Sequence, residues 1–153
     1  FTGGWNGDLY AYLVHDSRFT VLLNRPGRTA IETDGSTTVG LAITLDDSAF
    51  ADIHTAIPLS GGSVSGVYQP DGRNTDPHGV LGTDARTAML SSFNGLNATG
   101  SWTLFVADQS PGETSTLQSW GLTITGVPEP GITLLAALGF IALLNRRREI
   151  PKS

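Results

Sequence analysis

Residues 7–14 read GDLYAYLV, and their alternation sets the fold class. Leu9, Ala11 and Leu13 fall on one face of an extended chain, and Tyr10, Tyr12 and Val14 on the other. A period of two with aromatic residues marks a β-strand, here one with both faces largely covered. Asp16-Ser17 then supplies a turn, Phe19 to Leu23 a second strand, and the NRPG of residues 24–27 another turn. The same period returns in TTVGLAITL, residues 37–45, where Val39, Leu41, Ile43 and Leu45 share a half-buried face. Residues 48–63 suit either an irregular strand or one short helical turn.

Between Gly61 and Gly82 glycine, serine, proline and aspartate dominate. This reads as long surface loops around one short strand, Val64–Tyr68. Farther on, Trp102, Leu104 and Val106 alternate with Thr103, Phe105 and Ala107. Leu117 to Thr125 reads as the last strand, with Trp120, Leu122 and Ile124 on one face. Six or more strands without a clear helix give an all-β expectation, an antiparallel β-sandwich.

The 153 residues suit one domain with a real core. Hydrophobic residues make up 39 %, below the roughly 45–50 % of ordinary globular chains, which favours short strands and many turns. The net charge of −5 is unevenly placed. Residues 1–127 hold twelve acidic groups and five arginines, so they carry −7, while the tail is basic. An acidic body lacks the positive footprint of a nucleic-acid binder. No cysteine is present, which removes disulfide and thiol chemistry.

The tail, VPEPGITLLAALGFIALLNRRREIPKS from Val127 to Ser153, is built differently. Residues 131–144 carry no charge, and Thr133 is their only hydroxyl. As a helix at about 1.5 Å per residue they would span roughly 21 Å, short of a bilayer core of about 30 Å. The run is apolar on every side, and Arg146, Arg147 and Arg148 follow at once. Long basic stems extend a short span by snorkelling and hold that end on the cytoplasmic side. Pro128 and Pro130 stop helix from propagating backward. A C-terminal transmembrane helix separate from the sandwich is therefore expected, with membrane lipid as a partner and the body extracytoplasmic. The domain reading is 1–126 for the sandwich and 127–153 for the anchor.

Val127-Pro128-Glu129-Pro130, the apolar segment and the arginine cluster resemble a PEP-CTERM sorting signal over residues 127–148. That resemblance implies an exosortase-type processing enzyme as a partner. It also implies anchoring in the inner membrane before processing, then release to a cell surface or matrix rich in exopolysaccharide.

Two stretches of the body belong together. One is Trp5-Asn6-Gly7-Asp8-Leu9 with the strand ending at His15. The other runs from Asn97 through Gly100, Trp102, Leu104, Val106 and Asp108 to Gly112, Leu117, Ser119 and Trp120. Together they resemble, over residues 1–125, the P domain (P/homo B domain) of subtilisin-like proprotein convertases. The resemblance implies a jelly-roll β-sandwich. It also implies a structural role for Gly7, Leu9, Gly100, Trp102, Leu104 and Trp120. In convertases the domain stabilises a catalytic domain, and the chain as given carries none.

Chemistry is thinly signalled. His15, His54 and His78 have no metal-site spacing, and no Gly-x-Ser-x-Gly occurs, so no catalytic residue is assigned. Asp8, Asp46, Asp47 and Asp108 fall at strand ends, where carboxylates either ligate calcium or accept backbone hydrogen bonds in turns. Some P-domain relatives are calcium-stabilised, which makes calcium the one cofactor to consider. Trp5, Tyr10, Tyr12 and Tyr68 offer an aromatic platform for carbohydrate. The expected function is a non-catalytic surface or matrix module with a structural or binding role. The alternatives are an accessory P domain of a secreted subtilisin-like protease and a carbohydrate-binding module.

Overall fold

The computed structural model describes residues 1–126. In chain order the strands are β1 (Thr2–Gly3), β2 (Leu9–His15), β3 (Arg18–Asn24), β4 (Leu41–Leu45), β5 (Val64–Tyr68), β6 (Trp102–Asp108) and β7 (Ser115–Thr116). A four-residue helix, α1 (Ile53–Ala56), and 3-10 turns at Asn6–Asp8 and Leu90–Phe93 complete the regular elements. The chain divides into two compact units, Phe1–Gly121 and Leu122–Ser153. In the second, the described residues are 122–126, which form no helix or strand.

β2 is the central strand of an antiparallel sheet in the order β3-β2-β6. Its alternation predicts its burial well: Leu9, Ala11, Leu13 and His15 are buried, and Tyr10, Tyr12 and Val14 half-buried. A register shift between Ala11 and Tyr12 marks a bulge against β3. β4 and β5 pair in parallel, from Leu41 opposite Val64 to Leu45 opposite Tyr68. This corrects the expectation of antiparallel pairing throughout. The connection through residues 46–63 is long enough, with α1 inside it, to return the chain to the same end of the pair.

Leu9, Ala11 and Leu23 of the larger sheet, Leu41 and Val64 of the parallel pair, and Ile53 and Ile57 at α1 make one buried apolar cluster. Val106, Leu45, Ile43 and Tyr68 pack against it. Helix α1 starts where Asp52 accepts the His54 amide at 2.9 Å, an ordinary N-cap that fixes the entry of the chain.

Two expectations fail here. Residues 117–125 form no strand: β7 pairs only with Thr2 and Gly3, and the described residues give the rest no ladder partner. Trp120, Leu122 and Ile124 are 49, 39 and 45 % exposed, so their alternation has no sheet to bury against. The second concerns the supposed surface loops from Gly61 to Gly82. Asp71 and Val80 are fully buried and Arg73 nearly so. Asp71 and Arg73 are held inside by polar bonds, while Val64 of the same segment joins the apolar cluster.

The expected transmembrane segment and sorting signal lie outside the described residues. Among those residues, no helix is long and apolar enough to cross a membrane.

Candidate functional site

Asp71 is the hub of the buried polar residues. Its Oδ2 accepts from His54 Nδ1 at 2.8 Å and from the Asn24 amide at 3.2 Å. Its Oδ1 accepts from the Arg73 guanidinium at 3.2 Å. Arg73 reaches on to Asp52 Oδ2 and to the Gly82 carbonyl, each at 2.7 Å. Arg86 donates to the carbonyls of Asp71 and Pro70 and to Gln69 Oε1. Asn24, at the end of β3, donates to the carbonyls of Arg73 and Thr75. One carboxylate thus ties β3, α1 and the 69–86 segment together. A buried charge is tolerable only when paired and bonded in this way.

His54 resembles half of a catalytic dyad, yet its second nitrogen is spent. Nε2 faces the Arg28 carbonyl at 2.9 Å. Both partners are acceptors, so both nitrogens must donate and the ring is an imidazolium. Burial pulls it toward the neutral form, but the Asp71 hydrogen bond and charge and the Arg28 carbonyl outweigh that and raise its pKa. His15 is bound by the same logic. Its Nδ1 and Nε2 meet the carbonyls of Ser101 at 3.0 Å and Asn97 at 2.7 Å. Those two carbonyls raise its pKa against the cost of burial, with the Asp16 charge adding to them. Among the described residues no serine hydroxyl bonds either ring. Neither histidine is therefore placed as a general base for a serine nucleophile. His78 is exposed.

The expected calcium ligands are placed apart in their bonding. Asp8 is buried and pairs with Arg25 at 3.3 Å, while Arg25 also donates to the Gly7 carbonyl at 2.9 Å. Burial raises the Asp8 pKa; Ser110 and Arg25 oppose the rise, and Asp108 and Asp34 add to it. Asp108, beside Leu9 across the sheet, accepts the Ser110 amide at 3.3 Å. Asp46 accepts the Ser48 amide and hydroxyl, at 2.8 and 2.7 Å. Asp47 accepts the amides of Leu90 and Ser91, at 3.0 and 2.7 Å. Among the described residues, no three carboxylate or imidazole groups are gathered as a metal site would need.

The motif residues have structural surroundings. A Cβ on Gly7 would run into the Asp34 carbonyl and the Ser36 amide. Gly100 has φ +109°, a conformation that side chains rarely accept. Leu9 is buried and Leu104 half-buried. Trp102 lies flat on His15, with ring centroids 4.0 Å apart and planes 3° from parallel, and Phe93 meets it edge-on at 4.9 Å. Trp120 does not join it, because its segment forms no strand.

On the outer face of β2, Tyr12 stacks on Phe105 of β6 at 4.7 Å and 16°, and Tyr10 lies 5.9 Å from Tyr12. Trp5 and Tyr68 are not part of this group. Trp5 bridges to Val39, and Tyr68 ends β5. The sequence reading missed Arg25, Asp71, Arg73 and Arg86. Their only outward sign is arginine and aspartate scattered through glycine-rich loops.

A family model of the proprotein convertase P-domain matches residues 36–124. A model of the PEP-CTERM protein-sorting motif matches residues 126–148. No curated protein and no solved structure matches the chain.

Proposed function

The chain belongs to the proprotein convertase P-domain family, and on that premise we propose that it is a non-catalytic module exported from the cytoplasm and delivered by its tail. The observation that carries this is the order of the two matches: the P domain ends at residue 124 and the PEP-CTERM motif begins at 126. PEP-CTERM signals are processed by exosortase, so the tail is a handle for that enzyme and the P domain is its cargo. The cargo is the mostly β body of residues 1–121. Its end location is the cell surface or an exopolysaccharide matrix. The commitment of His15 and His54 to carbonyl and carboxylate acceptors supports a role without catalysis.

Calcium belongs to this reading as a stabiliser for the Asp8–Asp108 end of the sheet. A melting temperature raised by calcium and restored by a chelator would support it; coincident curves would remove it.

The test of the main reading is expression of the full chain in a bacterial host with and without an exosortase. Cell fractions are separated and the product weighed by mass spectrometry. The expected result is an intact, membrane-fractionated chain without the enzyme, and a shorter one with it. An intact chain in the soluble cytoplasm under both conditions would overturn the reading.

A further inference from the structure

The sequence holds two Asn-Gly steps, Asn6-Gly7 and Asn94-Gly95, and the fold treats them differently. Asn6 is 1 % exposed, and its side-chain amide donates to Thr38 Oγ1 at 2.8 Å and to the Gly40 carbonyl at 3.1 Å. The Gly7 amide donates to the Ser36 carbonyl at 2.8 Å, and the backbones of Asp34 and Ser36 close on its Cα. Asn94 and Gly95 are both exposed. They are the central residues of a type II turn over Phe93–Leu96, with Asn94 at φ −59° and ψ 134° and Gly95 at φ +79°. The Leu96 amide closes that turn on the Phe93 carbonyl at 3.2 Å. Among the described residues neither the Asn94 side chain nor the Gly95 amide has a hydrogen-bond partner. A Cβ on Gly95 would meet nothing within 4 Å beyond its own chain neighbours.

We infer that Asn94 is a site of spontaneous deamidation, and that the fold protects Asn6 from the same reaction. Asparagine amides are the thermolabile groups of a chain. The Gly95 amide gives its proton to solvent base, and its nitrogen attacks Asn94 Cγ. The bond from nitrogen to Cγ forms, the bond from Cγ to Nδ2 breaks, and ammonia leaves. The five-membered succinimide then adds water at one of its two carbonyls. One opening yields aspartate; the other yields isoaspartate, with the backbone running through the side chain. Glycine favours the ring because it has no side chain to shield its nitrogen and little resistance to turning. At Asn94 the central peptide of an exposed turn must rotate, and only the Leu96 bond resists. At Asn6 the side-chain amide and the Gly7 nitrogen are both engaged, so the ring closes only after the fold opens. The product lies in a loop that also holds β2 and β6. The Asn97 carbonyl meets His15 Nε2 at 2.7 Å, and the Ala98 carbonyl accepts the Trp102 indole N–H at 3.1 Å. Conversion adds a negative charge just before these contacts, and in the iso form a backbone methylene as well.

The reaction needs neither exosortase nor a ligand, so it stands apart from the function proposed above. The experiment incubates the full chain, in neutral detergent, in mildly alkaline buffer, and a second sample in guanidinium chloride. Peptides taken at intervals are sequenced by tandem mass spectrometry, which reads amide-to-acid conversion and isoaspartate at each asparagine. In the folded chain Asn94 should convert at least about tenfold faster than Asn6, because an enclosed group reacts only through opening. In guanidinium chloride the two rates should converge. Gly95→Ala should slow conversion at residue 94 in guanidinium chloride, where strain at φ +79° plays no part. A folded chain that keeps Asn94 as long as Asn6, or an alanine variant that converts as fast as the parent, overturns the inference.

Discussion

His54 Nδ1 lies 2.8 Å from Asp71 Oδ2, with both side chains closed off from water. The Asn24 backbone amide and the Arg73 guanidinium also donate to this carboxylate, so Asp71 balances more than one donor.

Removing Asp71 would leave the His54 imidazolium buried without its counter-charge and the Arg73 guanidinium with Asp52 alone. Breaking a buried pair from one side costs about 3–5 kcal/mol. Asp71→Ala should therefore move the urea midpoint far down, with the slope of the transition little changed. An unmoved midpoint would show the network to be idle.

The two clamped histidines set a pH dependence. Both have folded pKa values raised above the ordinary 6.5. A raised value means the folded protein holds the proton more tightly than the unfolded chain. The stabilisation is full below about pH 6.5 and is lost as pH rises through the folded-state values. Asp8 acts in the same sense in the acid range, since its value is raised above 3.8. Melting temperature should fall from mildly acid to alkaline pH. His54→Gln should flatten the part of the slope that His54 supplies. A curve that rises across that range would contradict the clamp.

Gly7 is required by contact. Its neighbours are the backbones of Asp34 and Ser36, which cannot turn aside as a flexible side chain would. Gly7→Ala should cost about 1–3 kcal/mol, the usual range for overpacking. Gly121, with nothing within 4 Å of the added methyl group, is the control, and its alanine variant should melt within a degree or two of the parent. Equal melting of the two variants would contradict the assignment.

What could be read from residues alone follows from where period-two patterns carry the fold. β2 and β6 are legible because each presents apolar residues at alternate positions to one side of the sheet. β4 was legible as a strand, but its parallel partner was not, since alternation is silent on direction. Leu117–Thr125 was misread because a strand pattern needs a ladder partner to become a strand, and none is at hand among the described residues. The polar hub was hidden for a different reason. Arginine and aspartate in a glycine-rich loop look solvated in sequence, and only the fold shows that Asp71 and Arg73 are enclosed. Asp8 stands out in the sequence as a carboxylate at a strand end, yet its partner Arg25 lies in a turn seventeen positions on, a spacing that no local pattern flags.

The two motif tryptophans stand in different surroundings. Trp102 is stacked on His15, bordered by Phe93, and its indole N–H donates to the Ala98 carbonyl at 3.1 Å. Removing it takes away the wall on which the His15 ring lies, as well as the aromatic area it buries. Full burial would put Trp→Ala at about 3–5 kcal/mol; half-burial brings Trp102→Ala nearer to about 2 kcal/mol. Trp120 is half exposed and belongs to no strand. Trp120→Ala should stay within about 0.5 kcal/mol of the parent, as surface changes do. Denaturant titration of both variants measures the contrast. A large loss at Trp120 would mean that residues 117–125 do pack as a last strand in solution, restoring the reading that alternation alone supports.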